Sequence, residues 1–249
     1  MIHCVTAYNA HTYDDALAQM FRRRYELFVA ARGWQGLEHG SGIERDQFDT
    51  EDAVYLLSLG EDCSVLGGLR LLPTVPPHLL SEVFSQLAPG GVPRGPDTYE
   101  MTRYFTVRDR KQGELMRRVA GELLCAMFEF CLSAGVAWIT TLFDTFFLRR
   151  MQHNRWTETT VLGPPQAYEE GTAIAMKFAA SLTNLESTRI AHGIDHAVLL
   201  PIDRTSPYPS TKDEIRREKI ALAFPQVKNG ENHASIAYSF HDLDSAPHG

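Results

Sequence analysis

The segment Tyr99–Val107 places the strongest constraint on how this chain can fold. Its aromatic and β-branched residues predict a β-strand, yet Glu100 and Arg103 lie within it. An unpaired charge inside a core strand is strongly unfavourable. The fold must therefore bring groups of opposite charge to this strand from other parts of the chain.

Two arginines also lie in predicted core elements. Apolar residues at steps of three and four predict a helix over Tyr13–Phe28, and Arg24 falls on its apolar stripe. Arg70 interrupts an apolar strand predicted over Val65–Leu72. Two interpretations of Arg24 stay open: a stem that packs while its charged end reaches water, or a buried partner in an ion pair.

The acidic partners come from the long irregular segment between residues 32 and 52. Segments of this length inside a domain are often binding loops, and two aspartates lie near its end. We predict a partly buried network of three arginines and three carboxylates: Arg24, Arg70, Arg103, Asp46, Asp49 and Glu100. A purely structural network is the alternative, but perturbed ionisable groups cluster at functional sites.

The strand geometry makes a more detailed prediction. Alternation places Glu100 and Thr102 on one face of the strand and Arg103 on the other, unless a bulge intervenes. We expect Arg70 to be the partner of Glu100, and Asp49 to be the partner of Arg103. The strand would then divide the site into two halves.

The remaining pattern predicts one large domain at 1–202, followed by a helix and a polar tail at 203–249. The other predicted strands are Met1–Ala7, Val54–Leu59, Val136–Leu142 and Thr172–Phe178. The other predicted helices are a short one within 76–96, Gln112–Ala134, Asp144–His153 capped by Asp144, and one that opens at Thr211.

Charge and cysteine content argue against several classes of protein. With 24 basic and 31 acidic residues, the net charge of -7 argues against a nucleic-acid ligand. The four cysteines form no C-x-x-C pair, and no apolar run is long enough for a membrane helix. We therefore expect a soluble cytoplasmic protein without disulfides or a metal site. A basic cluster within 108–118 is either a solvated helix start or a site for an acidic or phosphate-bearing partner.

The charged and aromatic positions, taken in order, resemble the signature of one family. The pattern is Arg24-x3-Phe28-x5-Trp34, Asp46-x2-Asp49, Arg70-Leu71-Leu72-Pro73-Thr74 and Glu100-x2-Arg103. It is similar to that of the LuxI-type acyl-homoserine lactone synthases, over roughly residues 1–180. Seven separated positions and one five-residue run, which begins at Arg70, agree with it in order.

This resemblance implies a fold and a reaction. The fold would be α/β and GNAT-like, with three αβα layers and a mixed, V-shaped central sheet. The enzyme would acylate the α-amine of S-adenosylmethionine from an acyl thioester, close a lactone and release methylthioadenosine, which yields a quorum-sensing signal. S-adenosylmethionine is then a substrate, so no cofactor is expected. The donor would be acyl carrier protein or acyl-CoA. The turn that holds diphosphate in GNAT enzymes is only half present at 110–115, which argues against the usual acetyl-CoA pocket.

The resemblance also implies roles for individual residues. The implied catalytic residues are Glu100 as the base, Arg70 to orient it, and Arg103. The implied S-adenosylmethionine contacts are Arg24, Phe28, Trp34, Asp46, Asp49 and Arg103. We expect the acyl chain between the central strand and the next one, against Met101, Thr102, Met127, Phe143, Phe146 and Phe147. Backbone N–H groups of the central strand could stabilise the oxyanion. Several large side chains in this set suggest a short, branched or aryl acyl group.

Two other functions stay open at the level of sequence. One is a GNAT-type N-acyltransferase that acts on another amine. The other is a non-catalytic module in which the charges only stiffen a small-molecule site. Release of methylthioadenosine from S-adenosylmethionine would separate both from the lactone synthase.

Overall fold

The computed structural model describes residues 1–34, 42–107, 111–168 and 171–200. The helix predicted to open at Thr211, the polar tail and the proposed domain division after residue 202 lie outside the described residues. Within the described ranges, no helix is long and apolar enough to cross a membrane.

The described part of the chain folds around an eight-stranded sheet. Its strands are β1 (Ile2–Val5), β2 (Val54–Leu59), β3 (Val65–Pro73), β4 (Thr98–Thr106), β5 (Trp138–Asp144), β6 (Thr159–Val161), β7 (Gln166–Tyr168) and β8 (Gly171–Ala179). They run in the order β1-β2-β3-β4-β5-β8-β6, and β7 also pairs with β8. Neighbouring strands are antiparallel except β4 and β5, which are parallel. The predicted mixed sheet is confirmed.

Helices cover both faces of this sheet. They are α1 (Asp14–Arg24), α2 (Leu79–Glu82), α3 (Gly113–Ser133), α4 (Leu148–His153) and α5 (Leu182–His192). A π-helical segment, Tyr25–Ala30, continues α1. Side chains of a strand alternate between its faces, so Leu56 of β2 packs with α3 and Leu57 packs with α1. The predicted three-layer arrangement is confirmed.

Some predicted element boundaries are wrong. The helix predicted over Asp144–His153 begins as a 3-10 turn at Thr145–Phe147 and continues as α4. Asp144 precedes it at the end of β5 but makes no capping hydrogen bond, because its carboxylate accepts a hydrogen bond from the Tyr168 hydroxyl. The strands β6 and β7 and the helix α5 lie where no element is predicted. For α5 the signal was present, because Ser181 caps its first turn and Gly193 ends it at a φ of +65°.

The strands β4 and β5 are paired along only part of their length. Their register runs from Thr98–Trp138 to Met101–Thr141. Beyond that point β4 stays on β3 and β5 stays on β8. At the last pair, the Thr141 hydroxyl donates a hydrogen bond to the Met101 carbonyl at 3.0 Å. The sheet therefore splits into a V after Met101, as predicted, and a cleft opens between the two strands.

Helix α3 approaches α5 closely at Gly121. A Cβ atom at this position would lie 2.5 Å from both Cβ and Cγ of His192, which is shorter than any ordinary non-bonded contact. Glycine lowers helix propensity by about 1 kcal/mol. The close approach of α5 explains why this glycine nevertheless lies in the middle of a long helix.

We expect Gly121→Ala to destabilise the protein by about 1–3 kcal/mol, because α5 must move away from α3 to admit the methyl group. Urea unfolding measures the loss as a lower midpoint. Gly113→Ala is the matched control, since a Cβ there meets open space and alanine favours the helix. Equal stability of the two variants would contradict the close packing.

Candidate active site

Arg24 lies at the centre of a buried ionic cluster. Its side chain is 1% exposed, and its two terminal nitrogens donate to the two oxygens of Asp49 at 2.8 and 2.9 Å. Its Nε donates to Glu44. Asp49 also accepts a hydrogen bond from the Tyr55 hydroxyl at 2.8 Å. The interpretation in which Arg24 extends into solvent is therefore wrong.

Arg70 and Arg103 connect this cluster to the middle of the sheet. Arg70 donates to both oxygens of Asp46, at 2.6 and 3.0 Å, and lies 2.8 Å from Asp49. Arg103 donates to Asp46 at 2.7 Å and to Glu44 at 3.1 Å. The prediction that Asp49 pairs with Arg103 is wrong, because Asp49 is taken by the other two arginines. Paired hydrogen bonds of this kind fix geometry as well as charge.

A β-bulge determines where Arg103 points. Between Gly68 and Arg70, one residue of β3 opposes two residues of β4, and Arg103 adopts a φ of +53°. Bulges turn a side chain out of the regular alternation. Arg70 bridges Thr102 and Asp46, and Arg103 reaches the same Asp46. Thr102 and Arg103 thus face the same acidic segment: the bulge, which the prediction named as its exception, removes the opposite-face arrangement.

The arginines set the protonation of the buried acids. Burial alone would raise the pKa of Asp49, but hydrogen bonds from Arg24 and the charge of Arg70 hold this pKa well below its usual range. The pKa of Glu44 is also lowered, because Arg103 and Arg24 outweigh its burial. These two carboxylates consequently stay ionised at neutral pH.

Three carboxylates of the cluster lie close enough together to bind a cation, but the arginines already neutralise them. Oxygens of Glu44, Asp46 and Asp49 lie within 4.8 Å of one another. The three guanidinium groups donate hydrogen bonds to these same oxygens. A metal ion would have to compete with them, and the absence of a metal stays a prediction.

Glu100 has other partners than the one predicted. Its carboxylate accepts hydrogen bonds from the backbone N–H groups of Leu79 at 3.0 Å and Leu80 at 2.7 Å. Arg70 directs its donors to other groups, so the predicted pair of Glu100 with Arg70 is wrong. Burial raises the pKa of Glu100 to about 7, against the two backbone hydrogen bonds and the nearby arginines. Such a pKa suits a general base at neutral pH.

Phe28 and Trp34 form an aromatic pair beside the ionic cluster. Gly33 adopts a φ of +76° and reverses the chain, so the Trp34 N–H donates to the Phe28 carbonyl at 3.0 Å. The two rings stack with centroids 5.0 Å apart and planes 11° apart. The Arg103 guanidinium lies 5.7 Å from the Phe28 centroid. Flat ring faces of this kind attract cations.

A cleft of about 1970 Å³ connects these groups. It runs from the aromatic pair, through the fork between β4 and β5, to α3 and α5. Among the predicted catalytic and S-adenosylmethionine residues, Phe28, Trp34, Asp46 and Arg103 lie on its wall, whereas Arg24, Asp49, Arg70 and Glu100 are buried behind it. Four of the predicted residues thus line the cleft, and the other four lie behind them.

Four of the residues predicted for the acyl pocket lie on this cleft: Met101, Thr102, Phe143 and Phe147. Contact between them and an acyl group stays a prediction. Met127 is not on the wall, because it is fully buried in the core that α3 forms with the sheet. Phe146 is not on it either, because its ring lies outside and is 67% exposed. These two predictions are corrected.

Glu44 is a site residue that the sequence pattern does not predict. It is 0% exposed and links Arg24 to Arg103. Its signal was its position two residues before Asp46. In the sequence pattern, Asp46, Asp49 and Glu100 already match the three arginines in number, so nothing calls for a fourth acid.

The predicted basic cluster is partly described. Residues 108–110 lie outside the described ranges, and they include the first position of the GNAT-like turn predicted at 110–115. Arg117 and Arg118 of α3 lie on the far part of the cleft wall. Arg118 also pairs with Glu122 at 2.9 Å.

Comparisons with known proteins agree with the motif and the fold. The family model described as autoinducer synthase matches residues 9–188. The isovaleryl-homoserine lactone synthase of Bradyrhizobium diazoefficiens is 43% identical over 176 residues, which cover 70% of this chain and 78% of that protein. The CoA-dependent synthase BjaI, solved with S-adenosylmethionine and isopentyl-CoA, is 35% identical with a TM-score of 0.73, over 88% of this chain and 99% of BjaI.

A second CoA-dependent synthase, MesI, gives the same result: 37% identity and a TM-score of 0.73, over 81% of this chain and 100% of MesI. The V-shaped mixed sheet with helices on both faces is the GNAT-like fold. The family model and the Bradyrhizobium relative both cover most of the described domain. The chain therefore belongs to the autoinducer synthase family: it is an acyl-homoserine-lactone synthase, an acyltransferase that uses S-adenosylmethionine and an acyl thioester.

Proposed function

We propose that this synthase takes its acyl group from acyl-CoA, and that the group is short and branched. The observation that carries the proposal is the 43% identity to an isovaleryl-homoserine lactone synthase, supported by the likeness to BjaI and its isopentyl-CoA complex. Two features of the cleft agree. Arg117 and Arg118 on its far part suit the phosphates of CoA, and Phe143 and Phe147 place two large rings on the wall of the region expected for the acyl chain.

In the proposed arrangement the substrates enter from opposite ends of the cleft. S-adenosylmethionine lies against Phe28 and Trp34, with its sulfonium attracted to their rings. Asp46 faces its ammonium group and Arg103 its carboxylate. The thioester enters between β4 and β5, where the edge of β4 after Met101 is not paired with β5 and can offer N–H groups to the oxyanion. The amine and the thioester carbon then meet at the fork.

Arg24, Asp49 and Arg70 act as positioning residues in this proposal. Each is buried and held by short hydrogen bonds to the other members of the cluster. They keep Asp46 and Arg103 on the cleft wall in one orientation. Lactone closure is intramolecular, so orientation of the carboxylate and the sulfonium carbon governs that step.

Glu100 is the proposed base for the amine. A free α-ammonium group has a pKa of about 7.7–8.0, close to the pKa of about 7 of this carboxyl, so proton transfer is nearly balanced. Because Glu100 lies behind the wall, we expect a water to carry the proton. The neutral amine then attacks the thioester carbon and the thiol leaves. No cofactor takes part.

The choice of donor is tested with one acyl group on two carriers. We expect isovaleryl-CoA to give at least about tenfold higher kcat/KM than isovaleryl-acyl carrier protein, with methylthioadenosine release as the readout. Octanoyl-CoA tests chain size and should be used less well than isovaleryl-CoA. Equal or better use of the carrier protein would refute CoA as the donor, and better use of octanoyl-CoA would refute the short chain.

The four cysteines are free thiols. Buried thiols such as Cys4 and Cys125 are typical of proteins that stay in a reducing compartment. This supports the expectation that the reaction takes place in the cytoplasm.

A further inference from the structure

Arg32 makes contacts that none of these roles uses. It lies on the cleft wall, and its guanidinium carbon is near four aromatic centroids: 5.6 Å from Phe28, 5.6 Å from Trp34, 5.8 Å from Phe146 and 5.0 Å from Phe147. The first two rings belong to the segment after α1, and the other two belong to the turn after β5. One guanidinium therefore bridges two separate elements that border the cleft.

The distances show where this cation lies relative to the first aromatic pair. Arg32 is equally far from Phe28 and Trp34, whose centroids are 5.0 Å apart. A cation above the outer face of one ring would be much farther from the other ring. Arg32 therefore lies beside the stack and leaves the outer ring faces to other groups. It does not take the place that a sulfonium would use.

Arg32 joins the second aromatic pair to the first. Phe146 and Phe147 lie with centroids 4.1 Å apart, and the Phe146 ring is largely exposed. A guanidinium is planar and weakly hydrated, so it stacks on several rings at once, whereas an ammonium group does so less well. Arg32 thus has the geometry of a link between the two pairs.

We propose that Arg32 is a positioning residue for S-adenosylmethionine: it joins the two aromatic pairs and so holds the Phe28–Trp34 wall against the β5 side of the cleft. The inference rests on the proposed place of S-adenosylmethionine on this wall. Loss of the link weakens binding of S-adenosylmethionine and leaves the chemical step largely intact.

The test measures binding of S-adenosylmethionine to the full chain by calorimetry, without an acyl donor. We expect Arg32→Ala to raise Kd and the KM for S-adenosylmethionine about five- to tenfold and to change kcat less than about twofold. Arg32→Lys should raise Kd and KM by less than Arg32→Ala does, because lysine keeps the charge but loses the planar group. Arg22→Ala is the matched control: Arg22 is an exposed arginine of α1, and its removal should change nothing.

A double-mutant cycle tests the link itself. Phe147→Ala should weaken S-adenosylmethionine binding as well, and the combined variant should be little worse than either single one, because both remove the same connection. Unchanged or tighter binding by Arg32→Ala overturns the proposal, tighter binding meaning that Arg32 competes with the substrate. Fully additive losses also overturn it.

A third variant separates this inference from the assignment on which it rests. Trp34→Ala removes the wall itself. If Trp34→Ala abolishes binding and Arg32→Ala does not weaken it, only the role of Arg32 fails. If Trp34→Ala binds S-adenosylmethionine normally, the place proposed for the substrate fails.

Discussion

Replacement of Glu100 by glutamine should lower kcat by about 10²–10⁴-fold, the usual contribution of a general base, with little change in the KM for S-adenosylmethionine. The side chain keeps its size but can no longer accept the proton of the amine. Glu100 is behind the cleft wall, so its removal deletes no direct contact with bound substrate. Steady-state release of methylthioadenosine measures the effect.

The pH profile gives a second readout for the same variant. The base works in its deprotonated form, so the rate of the wild type should rise with pH through about 7, the pKa of Glu100. Glu100→Gln should lose this rise and keep only the one near pH 7.7–8.0 that belongs to the substrate amine. A glutamine variant that keeps the rise near pH 7 would assign that ionisation to another group.

The glutamine variant needs a control for folding. Leu79 and Leu80 donate two backbone hydrogen bonds to the carboxylate, and a carboxamide has only one oxygen to accept them. One unsatisfied buried N–H costs about 1–3 kcal/mol, so unfolding curves must accompany the kinetics. Glu82→Gln removes an exposed acid from the same turn and should be active and stable. Near-normal turnover by a folded Glu100→Gln enzyme would show that Glu100 is not the general base.

The charged members of the site were predictable because they interrupt regular patterns. Arg24 breaks the apolar stripe of a helix, and Arg70 breaks an apolar strand. A buried charge must find a partner, so their convergence on Asp46 and Asp49 follows from energetics alone. The strands β1 to β5 and the helices α1 and α3 follow from periodicity in the same way.

The connections within the site were not predictable because they depend on pairing between distant segments. The direction of Arg103 depends on a bulge formed against β3, and no local pattern in β4 marks it. The partners of Glu100 are backbone N–H groups of Leu79 and Leu80, which no count of side-chain charges includes. That count also left Glu44 without a role, although it is one of the most buried acids of the described residues.

Removal of the buried guanidinium should have the largest effect on stability. We expect Arg24→Met to lower the free energy of unfolding by about 3–5 kcal/mol at pH 8, because it leaves Glu44 and Asp49 buried with one partner fewer. Total stabilities are only about 5–15 kcal/mol, so this loss is severe. Arg22→Met is the matched control, since Arg22 is exposed on the same helix and should cost less than about 0.5 kcal/mol.

The pH dependence separates an electrostatic loss from a loss of packing. In the wild type the pKa of Asp49 and that of Glu44 are lowered. Between pH 5 and 8 both acids are therefore ionised in the folded and in the unfolded state, and they do not make the free energy of unfolding depend on pH. Without Arg24, burial raises these pKa values, and stability is lost as pH rises above the unfolded value of about 4. The difference between Arg24→Met and the wild type should therefore be smaller at pH 5 than at pH 8. A difference that does not depend on pH would mean that Arg24 contributes packing, not charge.

Arg24→Lys is the second variant if Arg24→Met is too unstable to study. Lysine keeps the charge but not the paired hydrogen bonds, so it should lower the free energy of unfolding by less, and that loss should depend less on pH.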